Sequence, residues 1–162
     1  MADDKFDLHS EFENLMRKAG VTRAHRLAVS NTNQGLDGHC TPWPRPWPIV
    51  ITISQGALDA GADITRAVLA HEVAHTRQHY RWIIWAGVFP IMGVAWAFGE
   101  IWQGVAPAGI WMLAGIALYD IDADRWAADQ VGAGDVARML GMLDVTARWR
   151  ASVVRRRSGV PR

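Results

Sequence analysis

The spacing of apolar and polar residues marks out three kinds of segment along the chain. Leu8, Phe12, Leu15 and Met16 recur at helical spacing, so residues 7–18 read as an amphipathic helix, and Gly20 is a natural stop. Residues 25–30 alternate around Leu27 and Val29 and predict a short strand, and the Asn, Gly and Asp of 31–38 predict a turn. The strongest strand signal is P-I-V-I-T-I-S at 48–54. Before it, residues 39–48 carry Pro42, Pro44, Pro46 and Pro48 with Trp43 and Trp47. Proline cannot donate to a sheet ladder, so this stretch is an edge segment or an extended loop. Residues 55–59 start a short helix or turn, and 63–81 read as a helix with Asp63 as its N-cap.

The pattern then changes. From Trp82 to Tyr119 the only ionisable side chains are Glu100 and Tyr119. The stretch splits at Gly99-Glu100 into apolar halves, 82–98 and 101–119, each near the length that crosses a hydrocarbon core as a helix. Trp82, Trp85 and Tyr119 mark one end of the pair, Trp96 and Trp102 the other, as interfacial aromatics do in a membrane hairpin. A buried hairpin in a soluble protein is the competing reading, but a chain this short has little other mass to cover two such helices. Helical spacing resumes over 120–132. Gly134-Asp135 then opens a last helix with Val136, Leu140, Leu143 and Ala147 on one face. Arg148, Arg150, Arg155, Arg156 and Arg157 read as a solvated, frayed tail, with attraction to anionic lipid as the sharper alternative.

Composition refines this picture. The 162 residues suit one domain, 1–162, with 82–119 inserted in it. A net charge of +1 gives no reason to expect nucleic acid, whereas nine Trp at low charge favour a membrane partner. Cys40 is the single cysteine, which excludes an internal disulfide. The first five residues hold two Asp and no apolar run, unlike a signal peptide.

The chemistry concentrates in His71-Glu72-Val73-Ala74-His75, an H-E-x-x-H sequence. On a helix, residues four apart share a face, so His71 and His75 can direct their imidazoles at one metal ion. Glu72 stands one step round and can reach a water at an open coordination position, which is the arrangement of a zinc hydrolase. With six His and four Glu in the chain, a chance match is rare, and the preceding A-V-L-A places the motif on a buried helix where such groups need partners. Two histidines do not hold zinc alone. His79 sits about 12 Å from His71 along a helix, too far to share the ion. Gln78 and Arg81 stand where the longer H-E-x-x-H-x-x-G-x-x-H pattern needs Gly and His. Asp120, Asp122, Asp124 and Asp129 are the carboxylates left to supply a third ligand.

In order along the chain, I-V-I-T-I-S-Q-G-A-L, A-V-L-A-H-E-V-A-H, an apolar helix pair and D-I-D-A-D-R-W-A resemble the membrane-embedded gluzincin peptidases. These comprise the HtpX-type quality-control proteases, the CAAX prenyl endopeptidases and the small soluble minigluzincins. The match covers roughly 8–143. It implies an α+β, mostly helical zincin-type domain with a short β-sheet and an inserted hydrophobic helical hairpin, expected to be transmembrane. It implies one Zn²⁺ per chain on His71, His75 and Asp120, where the family has Glu in an E-x-x-A-D motif. Asp120 is one methylene shorter, so its helix must sit closer. Asp124 takes the role of hydrogen-bonding a ligand histidine, which fixes its tautomer.

The expected activity is hydrolysis of peptide bonds in membrane or misfolded proteins, with Glu72 as general base. His39 is a possible oxyanion donor, and the 39–48 edge is where an extended substrate would add as a strand. Cys40 is either an inert small residue or a thiolate able to occupy the zinc. The expected location is the cell membrane with the site facing the cytoplasm, since Arg77, Arg81 and Arg125 flank the hairpin on one side and the 99–100 turn has no Lys or Arg. The alternatives are a degenerate, non-catalytic zinc-binding membrane protein and a soluble H-E-x-x-H regulator protease. Substrate, cleavage specificity and oligomeric state are not legible.

Overall fold

The structure, a computed structural model, describes residues 6–31, 35–41, 47–78, 81–99, 101–143 and 145–158. Ten elements follow in order among them. Helix α1 (Leu8–Lys18) precedes strands β1 (His25–Ser30), β2 (Gly38–Thr41) and β3 (Ile49–Ser54). Helices α2 (Gln55–Asp59), α3 (Ala62–His75), α4 (Arg81–Ala97), α5 (Ile101–Val131), α6 (Ala133–Met142) and α7 (Val145–Ser158) complete the chain. The fold is α+β and mostly helical, with one small mixed sheet.

The chain divides into two compact units, Met1–Arg77 with Ala123–Arg162, and Gln78–Asp122. In the first, the sheet order is β1-β3-β2. β3 is central because every other residue, Ile49, Ile51 and Ile53, is buried, so one face is wholly apolar. β1 pairs with it in parallel, Leu27 opposite Ile51, and β2 antiparallel, Cys40 opposite Ile51. β2 is thus an edge strand over 38–41, as the prolines downstream require. Residues 42–46 of the proline-rich stretch lie outside the described residues.

Polar side chains fix where the helices begin. Asp7 caps α1 by accepting from the amides of His9 and Ser10. Ser54 caps α2 through Ala57 N and donates to Gly35 O at 2.6 Å, tying the end of β3 to the approach to β2. Helix α3 is capped two residues earlier than its sequence suggests. Its N-cap is Gly61, at φ 102°, where a side chain would be strained. Asp63 therefore lies inside the first turn, where it pairs with Arg138 at 3.3 Å instead of capping. Thr65 Oγ1 donates to Ala57 O and Gly61 O and locks α3 against α2.

The far end also differs from the expected helix over 63–81. α3 stops at His75; the backbone turns over 76–77, where Thr76 folds its hydroxyl onto Val73 O at 2.6 Å. His79 and Tyr80 lie outside the described residues.

α6 and α7 replace the single last helix expected from the sequence. Leu143 adopts an extended conformation and interrupts the helical run. The basic tail is correspondingly not a frayed end: α7 buries Ala147, Ala151 and Val154 in the same core as Phe12, Ile51, Leu69 and Leu140.

The second unit contains α4 and the first two-thirds of α5. Its two helices approach closely at glycines. A Cβ on Gly104 would fall 2.5 Å from that of Ala95, and one on Gly87 would overlap the Trp111 indole. Phe89, Trp96, Phe98, Ile110, Leu113 and Leu118 are exposed, Phe98 by 79 %. Gln78 anchors the base of this unit, donating from Nε2 to Tyr119 O at 2.7 Å and to Asp122 at 3.3 Å.

Candidate metal centre

Helix α3 is buried on nearly all sides, from Ile64 to Ala74. Only a helix packed between the sheet and α6 can carry such a run, and the packing leaves its polar residues few directions to face. His71 and His75 use the i, i+4 spacing to bring their rings together, centroids 4.7 Å apart and edge to face. Glu72 is 7 % exposed beside them. One ligand atom from each of His71, Glu72 and His75 can be chosen so that all three lie within 4.8 Å of one another, and this group can hold a metal ion.

The chemistry of the donor set fits such an ion. His71 Nδ1 is engaged by Asp124 Oδ1 at 2.8 Å, which leaves Nε2 as the ring's free lone pair when Nδ1 carries the proton. Asp124 comes from α5, 53 residues away, and is fully buried. It is held from its other side by Arg150 of α7, whose Nε donates to Oδ2 at 2.7 Å and whose Nη2 donates to Oδ1 at 2.8 Å. Burial alone pulls the pKa of His71 down. The hydrogen bond and charge of Asp124, helped by Glu72, outweigh it, so the metal-free imidazole keeps its proton above the ordinary 6.5.

β2 closes in on Glu72. A Cβ built on Gly38 would lie 2.6 Å from Glu72 Cγ and 2.9 Å from Oε1, so only glycine leaves the carboxylate where it is. His39 is exposed on the same strand, and Cys40 is half-buried and packed against the core. Arg77 stacks over the Trp126 ring at 5.3 Å, just past the end of α3.

Of the residues singled out in the sequence, His71, Glu72, His75 and Asp124 come together in the first compact unit. Asp120 is half-buried on α5, one turn before Asp124, and belongs to the second unit. Gly38 and Arg150 are the additions. Arg150 shares a helical stripe with Ala147, Ala151 and Val154, a spacing that marks it as inward-facing once α7 is recognised. Compared with known proteins, the chain matches no protein-family model, no curated protein and no solved structure.

Proposed function

We propose that the chain is a membrane-anchored zinc endopeptidase. The observation that carries this is the pairing of a three-donor cluster on α3 with a buried carboxylate that takes Nδ1 of one donor histidine. His71 and His75 are the nitrogen ligands, and Asp120 is the third ligand. A structural zinc site closes with four protein ligands and has no use for a further carboxylate beside them. Zinc, when bound, supplies Lewis acidity, making water acidic near pH 7 and polarising a substrate carbonyl. Glu72 accepts a proton from the attacking water and returns it to the leaving amine. Asp124 orients His71.

Support for the membrane comes from α4 and α5. The segment Gly104–Val131 is long and apolar enough to cross a bilayer, and Ala86–Ala97 is a shorter apolar helix. Large apolar side chains such as Phe89, Trp96, Ile110 and Leu113 face outward, which lipid satisfies and water does not. The proposed arrangement is a hairpin that leaves and re-enters on one side, with Arg77 before it and Arg125 after it at the cytoplasmic face. The polypeptide substrate is drawn from membrane or misfolded proteins.

The test is zinc content and cleavage of unfolded casein by detergent-purified wild type and Glu72→Gln. We expect one zinc in each, with cleavage reduced by about 10² to 10⁴ in the variant. Equal cleavage by both removes Glu72 as the base, and zinc-loaded wild type without activity favours a binding role.

A further inference from the structure

We propose that Arg150 is a positioning residue of the metal centre, so that α7 sets the affinity for the ion. The inference rests on the zinc reading above and concerns residues that a ligand search would pass over.

Arg150 occupies an inward position of its helix. Ala147 lies three residues before it and Val154 four after it, and both are buried. A guanidinium there is 15 % exposed and has to be matched. Its match is Asp124, which is fully buried and receives two hydrogen bonds from Arg150 in the fork geometry that suits a carboxylate. The third hydrogen bond to the same carboxylate involves His71. The three side chains therefore form one chain of contacts, Arg150 to Asp124 to His71, that ends at the donor cluster.

The charges explain why the chain needs its first member. A histidine that ligates zinc is neutral. Asp124 would then be a buried carboxylate with only a neutral partner, and a buried charge without a counter-charge is strongly unfavourable. Arg150 supplies the counter-charge and, gripping both oxygens, fixes the plane of the carboxylate. That plane fixes the His71 ring and keeps Nε2 aimed at the cluster. A lysine would keep the charge but not the two-point grip.

A merely structural ion pair would make the same contacts, and zinc affinity separates the two. Zinc dissociation constants are to be measured with a competing chelator on purified full-length protein, alongside the melting temperature of the metal-free form. We expect Arg150→Met to weaken zinc about 10- to 100-fold, as loss of a carboxylate partner does at such sites. Arg150→Lys should fall between it and wild type, and supplies the measurement if the Met variant does not fold. In an Asp124→Asn background the further change at Arg150 should cost little or nothing, because its effect runs through Asp124. Wild-type affinity in a folded Arg150 variant, or an undiminished loss in the Asp124→Asn background, overturns the proposal. Wild-type protein that takes up no zinc overturns the metal reading itself, which distinguishes the two failures.

Discussion

Glu72 has its position set by a residue that has no side chain. Gly38 is spaced so closely against it that a single methyl group would displace Cγ as well as the carboxylate. Gly38→Ala should therefore retain zinc but lose cleavage by about 10²-fold, the order of loss that an ångström of misplacement causes. Unchanged cleavage by that variant would mean that the Glu72 carboxylate works from some other position. The H-E-x-x-H residues are legible in sequence because the chemistry needs a fixed spacing within one helix. Gly38 is not, since its requirement comes from a strand 34 positions away that only folding brings alongside. Arg150 was hidden for a different reason: five arginines in a short terminal stretch read as solvent-facing until the 147/151/154 stripe is set on a helix.

Among the elements, the strands and the first helix follow their sequence signals closely, His25–Ser30 and Leu8–Lys18 in particular, because alternation and capping are local. The ends of α3 did not: it begins after Gly61, at a positive φ, and stops before Thr76, whose hydroxyl is folded onto the backbone. The helix that matters most for the site is α5. Asp120 and Asp124 are four apart on it; Asp124 engages His71, and the proposed function assigns the ion to Asp120. Asp120→Ala should purify without zinc, whereas Asp124→Ala should keep zinc with affinity weakened about 10- to 100-fold. Metal analysis of the two variants decides the assignment. A full equivalent of zinc in Asp120→Ala would remove it from the ligand set.

For the whole molecule, the apolar stretch from Trp82 to Tyr119 is legible at a glance, and Phe89, Trp96, Phe98, Ile110, Leu113 and Leu118 within it are exposed. The expected topology puts the end of α4 on the side away from the metal centre. In a Cys40→Ser background, a cysteine at Phe98 should react with an impermeant thiol reagent on intact cells, and one at His9 only after permeabilisation. The opposite pattern reverses the orientation, and extraction of the protein by carbonate alone removes the membrane from the account.

The first compact unit is assembled from two lengths of chain, Met1–Arg77 and Ala123–Arg162, with everything else synthesised between them. His71 leaves the ribosome 53 residues before Asp124 and still longer before Arg150. A nascent chain thus carries both histidines and Glu72 well before it carries the groups that hold His71 in place. The core waits too, because Leu69 and Val73 pack with Val136 and Leu140 of the late segment. Synthesis order therefore acts as a delay: the apolar hairpin is complete before Asp124 and Arg150 are made, so the donor cluster is braced only after that hairpin exists.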